Sequence, residues 1–487
     1  MKTNRLFLST LLALATGGCA VGPNYQRPAA GAPAQWSAPL AGGETNAPAA
    51  AAAWWENFHD AELNSLVDRA VSSNLGLQIA QARVREARAQ YGVAAANFLP
   101  TAEAAGSYAR TETSHHQPVL GSLPLPAGIP FDNNVYQAGF DAAWELDVFG
   151  GTRRAAQSAG AEAAAAWYDR RAVLVTLLGE VARNYVDVRG DQRRIAIANA
   201  NIAAQADALA LTRDRFAKGL ASDLDVQQAG TLLATTTAEV PALQTSLQAA
   251  IHRLGVLLGR PPGALAEELA QVSPIPAAPP VVPVGLPSEL LLRRPDVQRA
   301  ERRLAAATAN IGVATADLFP KFFLTGAAGF QSVSPSDWFT AGSRFWSAGP
   351  TVQWRIFDAG RIRANIRVQD ARQEQALSAY EQTVLTAFEE VENSLTAYAN
   401  EQIRRRSLTD AAVSSRKSLD LASRLYASGL TDFLHVLDAE RSLYQAQDAL
   451  VQSDRTVAAD LVVLYKSLGG GWETMENQPS VALAKTQ

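Results

Sequence analysis

Few side chains in this sequence could perform covalent or acid–base chemistry, and their spacing argues against an enzyme. The chain has one cysteine, Cys19, and five histidines, of which His115 and His116 lie in a loop that contains prolines. The histidines lack the regular spacing to a second ligand that metal sites show. Gly469–Gly471 follow a predicted helix and precede none, so they do not form a phosphate cradle. No nucleophile with a nearby base is recognisable, so we predict no enzyme, no metal and no cofactor other than covalent lipid.

Cys19 ends an N-terminal segment that has the order of a secretory signal. Two basic residues precede the apolar stretch Leu6–Ala15, and small residues lead to the cysteine. The stretch is shorter than the ~20 residues that cross a bilayer, so residues 1–18 are predicted to be a removable signal. A cysteine at this place resembles a bacterial lipoprotein signal, which implies lipidation of Cys19. An incidental cysteine after an ordinary signal is the alternative. Because Ala20 rather than Asp follows, we expect the outer membrane as destination.

Composition narrows the class of protein further. The chain of 487 residues carries a net charge of −4, which is not the balance of a nucleic-acid binder. Charged residues make up 18% and hydrophobic residues 48% of the chain, and a single cysteine permits no disulfide within it. The sequence after Cys19 has no run of 18 apolar residues. A membrane role must therefore use a lipid anchor or β-strands.

An internal two-fold repeat organises the sequence. Residues matched at an offset of 210 are Trp144 and Trp354, Gly150 and Gly360, Glu180 and Glu390, Gly219 and Gly429, and Leu258 and Leu468. Upstream the offset is 220, as in Gly92 and Gly312 or Pro100 and Pro320. We predict two structural copies, residues 56–260 and 289–470, joined by a proline-rich extended linker, 261–288. A lipid-anchored extended segment, 19–55, precedes them and a tail, 471–487, follows.

Each copy is predicted to contain a long antiparallel helical hairpin. Arg361–Ser428 holds neither glycine nor proline, and a helix of that length extends ~100 Å. Gly219 and Gly429 would end the long helices, and shorter helices return, the first kinked at Pro241. A heptad seam for side-by-side packing is formed by Val384, Phe388, Val391, Leu395 and Tyr398, and in the first copy by Leu174, Leu178, Val181, Tyr185 and Val188. Any helical bundle would show such a stripe, but this length argues against a compact one.

Two pairs of strands with alternating polarity are predicted, at about 101–111 with 135–146 and at about 321–332 with 346–356. Segments of ~10 residues with one apolar and one polar face are typical of outer-membrane barrel strands, although strands that cover a soluble core look similar. Four strands cannot close a barrel, because bacterial barrels start at about eight. The pattern predicts a mixed α and β membrane protein that must oligomerise, and three chains would supply twelve strands, four per chain, with a ring of long helical hairpins that reach through the periplasm.

Several motifs resemble those of the TolC-like outer membrane factors, in their lipoprotein branch. They are the runs Cys19–Pro28, Trp54–Leu63, Leu290–Val297 and Tyr465–Trp472, and the resemblance covers essentially residues 19–472. It implies a homotrimer with a 12-stranded outer-membrane β-barrel that is continuous with a long periplasmic α-helical barrel. Such a trimer would be the passive, gated exit duct of a tripartite RND-type efflux system for drugs or other small toxic compounds. The implied partners are a periplasmic adaptor, an inner-membrane transporter and outer membrane lipid, with no nucleic acid.

The resemblance also implies a periplasmic gate. Tyr426 matches the gating tyrosine of the family, and Asp225 matches the carboxylate that accepts its hydroxyl proton. Asp438 matches a constriction aspartate, which becomes a ring of three in a trimer and favours cations. His435 lies one turn before it on the same face, where its accessible pKa would permit pH sensing. Simple packing of Tyr426 and a solvated helix face for Asp438 are the alternatives.

The hairpin tips are the expected contact points for the adaptor, at Gly219 and Leu220 in the first copy and at Gly429 and Leu430 in the second. They could equally be helix terminators only. Two other functions compete with the export channel: a lipid-anchored periplasmic coiled-coil protein without a pore, and an uptake porin that works alone. The alternating strands argue against the first, and the long helical arms argue against the second, because porins have short periplasmic turns.

Overall fold

A computed structural model describes residues 20–29, 31–38, 40, 42–45, 47, 52–112, 114 and 132–473. Cys19, the signal at 1–18 and the pair His115–His116 therefore lie outside the described residues. Contacts divide the chain into two units. One comprises Met1–Arg27, Arg85–Ala164 and Glu301–Ser378, and the other Pro28–Val84, Ala165–Ala300 and Ala379–Gln487.

Helices make up most of the described chain. They are α1 (Ala61–Ser73), α2 (Leu75–Ala96), α3 (Gly151–Ala217), α4 (Asp223–Leu257), α5 (Pro287–Arg293), α6 (Pro295–Ala316), α7 (Arg361–Ala427) and α8 (Phe433–Ser467). The two longest, α3 and α7, have 67 residues each, and the helices that return from them, α4 and α8, have 35 each. Helix α4 continues through Pro241. No helix among the described residues is both long and apolar enough to cross a membrane.

One unit contains a four-stranded antiparallel sheet. Its strands are β1 (Thr101–Glu112), β2 (Asp132–Leu146), β3 (Lys321–Ser332) and β4 (Arg344–Gln353), in the order β1-β2-β3-β4. Strand β2 begins three residues before the predicted position 135, because β1 extends to Glu112 and pairs there with Asp132. Strand β4 ends at Gln353 rather than 356. Its last pair is with Lys321, where β3 begins, so residues beyond it have no ladder partner.

The register aligns the predicted apolar residues of neighbouring strands on one face of the sheet. Phe140 lies opposite Ala104 on one side and Ala328 on the other, and Ala328 lies opposite Trp346. Such directly opposed residues share a face. The polar residues form the other face, where Asp141 pairs with Glu103 and with Ala327, and Ala327 with Ser347. The apolar face is exposed in the single chain, with Phe140 at 68% and Trp346 at 80%.

The other unit has a large apolar core, which uses the residues of the sequence motifs. Trp54 is buried and stacks on Tyr465 with ring centroids 5.4 Å apart. Asp60 caps α1 by accepting the backbone N–H groups of Glu62 and Leu63, each at 3.0 Å, and also accepts the hydroxyl of Tyr185 at 2.8 Å. These motif residues therefore stabilise the fold.

Residues of the predicted linker pack in the same unit. Val282 and Val284 are buried, and Val282–Pro283 pairs in parallel with Glu44–Thr45 of the N-terminal segment. The linker is not extended throughout, because Pro262–Leu265 forms a 3₁₀ helix and α5 begins at Pro287. Proline is tolerated at a helix start, where its missing N–H would have no partner anyway.

Candidate gate and hairpin tips

The two hairpin tips have the same backbone geometry. Helices α3 and α7 each end before a glycine with positive φ, +75° at Gly219 and +71° at Gly429. The N–H of Leu220 donates to the Arg215 carbonyl at 2.8 Å, and the N–H of Leu430 donates to the corresponding carbonyl at 2.9 Å. This 6→1 bond is a Schellman cap, which glycine permits because it lacks Cβ.

The tips are also exposed. Leu220 is 66% and Leu430 75% exposed, and a Cβ added at either tip glycine would meet no other described atom within 4 Å. Single exposed apolar residues are common on protein surfaces, so their exposure alone does not assign a function to the tips. The role of these residues in adaptor contact stays a prediction.

The return helices begin two residues later than the predicted Ala221 and Thr431. Ser222 caps α4 through a reciprocal capping box, in which its hydroxyl accepts the Asp225 N–H at 3.2 Å and the Asp225 carboxylate accepts the Ser222 N–H at 2.9 Å. Asp432 occupies the corresponding position before α8 but makes no side-chain cap bond. The carboxylate of Asp225 therefore helps to cap helix α4 of its own chain.

Tyr426 belongs to an apolar cluster at the tips. It is 9% exposed and packs against Phe433 with ring centroids 5.2 Å apart, and the Arg215 guanidinium lies 4.4 Å from its ring centroid. Buried members of this tip cluster are Leu209, Ala229, Leu232, Tyr426, Phe433, Val436 and Leu437. The tyrosine hydroxyl is buried and has no hydrogen-bond partner among the described residues. A bond between Tyr426 and Asp225 is thus not formed within the single chain.

His435 and Asp438 lie on the exposed side of α8. They are separated by three residues and are exposed together, as expected for one helical face. The nearest cation to Asp438 is Arg441, at 3.9 Å, and both side chains are about 60% exposed. Such a pair contributes little to stability. The structure therefore places both residues where either a pore or solvent could be in contact with them.

Glu440 is a further candidate functional residue near the tips, and it was not predicted from the sequence. It is 8% exposed, and one of its carboxylate oxygens is buried without a hydrogen-bond partner among the described residues. Burial raises the pKa of Glu440 from 4.5 to about 7. The sequence did contain a signal for the burial of Glu440. The residue lies three positions after Leu437 and four before Tyr444, which places it in the apolar seam of α8.

Two polar contacts join the helical hairpins farther from the tips. Tyr444 of α8 donates a hydrogen bond to the Glu239 carboxylate of α4. Arg194 of α3 binds Asp448 of α8 with both ends of its guanidinium fork, at 2.7 and 3.1 Å. The side chains of this ion pair are 20% and 16% exposed, so water screens them less than a surface pair. Together these contacts fix α8 against the first hairpin.

No group of three or more His, Cys, Asp and Glu that could hold a metal ion occurs within the described part of the chain. The candidate site is thus a set of helix ends and interhelical contacts. A sheet with one apolar, exposed face and one polar face is typical of outer-membrane barrel proteins, and the long helical hairpins add a part that would extend away from the membrane, so these elements indicate an outer membrane channel protein.

Comparison with known proteins identifies the family. The family model described as "Outer membrane efflux protein" matches residues 66–260 and 286–470. The chain belongs to this family.

Named relatives match along nearly the whole chain. It is 34% identical to the solvent efflux pump outer membrane protein SrpC of Pseudomonas putida over 98% of this chain and 100% of SrpC. It is 35% identical to outer membrane protein OprJ of Pseudomonas aeruginosa over 95% of each. The solved structure of the outer-membrane channel OprN superimposes with a TM-score of 0.87 at 38% identity, covering 93% of this chain and 100% of that one.

These similarities confirm three predictions from the sequence. The resemblance to outer membrane factors is correct, the location is the outer membrane, and the function is that of an efflux channel component. The family is one of transport proteins rather than of enzymes.

Proposed function

We propose that three copies of this chain form a closed 12-stranded β-barrel continuous with a periplasmic α-helical barrel, and that this trimer is the gated exit duct of a tripartite RND-type efflux pump. The duct is passive and is driven by an inner-membrane transporter through a periplasmic adaptor. The name of the relative SrpC refers to solvent efflux, which supports small toxic compounds, including drugs, as the exported class.

The open edges of the sheet are the observation that carries this proposal. Strands β1 and β4 are the two edge strands, so each presents a row of backbone groups that no strand of the described chain pairs. In lipid, every such unpaired group costs several kcal/mol. Pairing β4 of one chain with β1 of the next removes all edges when the ring closes. Three chains give twelve strands, above the smallest barrels of about eight.

The two faces of the sheet support a barrel that separates lipid from water. The apolar, exposed face would contact lipid, and the face with Asp141 and Glu103 would line the lumen. Aromatic rings lie at both ends of the strands, as in the girdles of outer-membrane barrels. Tyr108 and Tyr136 pack 4.9 Å apart at one end, and at the other the indole of Trp144 donates to the Phe98 carbonyl at 2.9 Å.

Duplication of one structural block accounts for the paired elements. Helix α7 begins and ends 210 positions after α3, and α8 has the same offset from α4. Helix α6 lies 220 positions after α2, and both have 22 residues. The proposed duplication gives each chain two equivalent hairpins, so three chains supply six hairpins around one axis.

The proposed gate uses the residues of α8 and the tips. In the trimer, Asp438 and His435 face the pore, and Tyr426 and Asp225 hold the closed mouth through a contact that the single chain lacks. The tips at Gly219, Leu220, Gly429 and Leu430 receive the adaptor. Lipid on Cys19 anchors each chain to the outer membrane.

Mass and conductance of the purified protein test the proposal together. Protein extracted in mild detergent is expected to have three times the mass of one protomer by light scattering, after correction for detergent. Reconstituted into planar bilayers, it is expected to open cation-preferring channels. A monomeric mass, or trimers that never conduct, would contradict the proposal and favour a structural protein without a pore.

A further inference from the structure

We propose that residues 20–25 are a docking sequence for the lipid anchor: the folded chain binds this segment through Arg154 and thereby fixes Ala20, where the chain leaves the anchor, beside the turn that joins β2 to α3. The inference rests on the proposed lipidation for its purpose, but the docking itself stands on contacts within one unit. Arg154 acts as a positioning residue for the anchor. The segment is then a bound element of the fold and not a flexible tether.

Arg154 forms a receptor for the backbone of this segment. The arginine is only 4% exposed. Its guanidinium donates to the carbonyls of Val21 and Gly22 at 3.1 and 3.2 Å and to the side-chain oxygen of Asn24 at 2.8 Å, and Gln157 accepts a further bond at 3.0 Å. A buried charge is costly unless it is hydrogen-bonded. Because three of these four acceptors come from the docking sequence, removing the segment would leave the guanidinium largely unsatisfied.

The backbone of the segment also lies in direct contact with the helix ends. The N–H of Val21 donates to the carbonyl that precedes Gly150, at 3.1 Å. A Cβ at Gly150 would lie 2.7 Å from the Cα of Ala20, and a Cβ at Gly22 would lie 2.5 Å from the Cα of Gly312. Gly22 has φ +84° and Gly150 φ +78°, a region that side chains other than glycine rarely adopt. Glycine is therefore required on both surfaces of the contact.

Tyr25 closes the docked segment at its other end. Its hydroxyl donates to the Glu301 carboxylate at 2.7 Å, and the guanidinium of Arg302 lies 5.7 Å from its ring centroid. The positions 220 residues earlier hold Gln81 and Ala82, which offer neither the carboxylate nor the cation. The side chains that bind the tyrosine occur in only one of the two proposed copies.

The same asymmetry holds for the rest of the docking surface. Ala364 stands 210 positions after Arg154, where the second copy would need an arginine. A Cβ at Gly92 would meet open space among the described residues, whereas at Gly312 it would lie 2.7 Å from the Arg154 side chain. Two copies with the same helix bounds thus differ at the places that contact residues 20–25. This difference fits a surface that serves the single N-terminal segment of each chain.

Docking has a direct consequence for the anchor. Position 19 is one residue from Ala20, which contacts the turn at Gly150. That turn adjoins the stacked rings of Phe149 and Phe319, whose centroids are 4.5 Å apart. Docking therefore fixes the start of the described chain, one residue after the proposed anchor, next to the ends of the strands. A spacer of free chain would instead let the anchor diffuse over many ångströms.

Hydrogen exchange of the intact, full-length protein tests the docking. Exchange of the peptide containing Val21 is followed by mass spectrometry in wild type and in Arg154→Ala. We expect Arg154→Ala to speed exchange about tenfold or more, because it removes all three hydrogen bonds that the guanidinium donates to the docked segment. Arg154→Lys should give an intermediate rate, since lysine lacks the fork. Arg363→Ala, at an exposed arginine of the same unit, is the control and should match wild type.

A second variant protects the test against loss of the fold. Gly22→Ala changes only the terminal segment and should also speed exchange, with no change in circular dichroism or oligomeric mass. Equal exchange of Val21 in wild type, Arg154→Ala and Gly22→Ala would overturn the docking. The mass of the N-terminal peptide separately reports lipid on Cys19. Protein that is docked but carries no lipid would contradict the anchoring role and the proposed lipidation, while leaving the channel function intact.

Discussion

Replacement of Glu440 by glutamine should remove a loss of local packing stability that occurs at the hairpin tips as the pH rises. Glu440 is buried on α8, next to the tip cluster, and part of its carboxylate has no partner among the described residues. Its pKa is raised from 4.5 to about 7 by burial. The packed state therefore favours the neutral acid, whereas a locally unpacked state releases the proton at the ordinary pKa.

The sign and size of the effect follow from proton linkage. For an acid whose pKa is raised in the packed state, packing is most favourable below pH 4.5 and weakens as the pH rises toward about 7. A shift of this size corresponds to about 3 kcal/mol at pH 8, since one pKa unit is ~1.4 kcal/mol. Glu440→Gln keeps the shape of the side chain and cannot ionise. It should therefore stabilise the packed tips by up to that amount at pH 8 and have little effect at pH 4.

Hydrogen exchange of α8 measures this local stability. Exchange of peptides spanning Phe433–Tyr444 is recorded between pH 5 and 8 and corrected for the intrinsic pH dependence of amide exchange. Wild type should lose protection as the pH rises, and Glu440→Gln should not. Glu389→Gln, at an exposed position of α7, is the matched control and should behave as wild type. Identical pH profiles for wild type and Glu440→Gln would refute the reasoning.

Three further predictions concern the gate, the contact between hairpins and the tips. Tyr426→Phe combined with Asp225→Ala should raise single-channel conductance, because it removes both groups that the family resemblance assigns to the closed mouth. Arg194→Ala should lower the free energy of unfolding by about 2 kcal/mol, because it leaves the largely buried Asp448 carboxylate without its cation, with only the Gln452 amide still donating to it. Thermal unfolding in detergent measures this. Leu430→Asp should abolish binding to the purified adaptor without changing the melting temperature, because the side chain is exposed and makes no contribution to the core.

Matched variants give these predictions their controls. Arg404→Ala breaks an ion pair whose arginine is 54% exposed and should cost only a few tenths of a kcal/mol. An equal loss for the Arg404 and Arg194 variants would contradict the role given to the buried pair. Val413→Asp changes an exposed residue of α7 away from the tip and should leave adaptor binding intact. Unchanged current in the double variant would refute the gate assignment.

Periodicity predicted the regular elements well, because they are repeated many times along the chain. A long stretch without glycine or proline gave α7 to within one residue of its end, and Gly429 marked that end. Alternation of polarity also predicted which residues of β2, β3 and β4 share a face, and the register agrees. The predicted positions of the strand ends were less accurate. Trp354 continues the alternation beyond β4, but its pairing partner had already ended, and only the fold reveals that.

Contacts between distant segments could not be predicted from the local pattern. The sequence shows that Asp225 lies near a helix start. It does not show that the Asp225 carboxylate accepts a hydrogen bond from the backbone N–H of Ser222 in the same chain. Nor does it show that Arg154 binds residues some 130 positions earlier, because such contacts depend on tertiary packing. Glu440 could have been noticed as an acid in an apolar seam. Its burial, which gives it significance, is a property of the packed hairpins.

Cross-linking of the sheet edges tests the central claim most directly. Within one chain, β1 and β4 are separated by two strands, or about 14 Å, which is too far for a disulfide. Ala104→Cys on β1 is combined in turn with Ala348→Cys, Pro350→Cys or Val352→Cys on β4, and the chain with Cys19 alone is the control. We predict that at least one pair gives covalent dimers and trimers on oxidation in the membrane. Monomers only, for every pair, would contradict a barrel built from three chains.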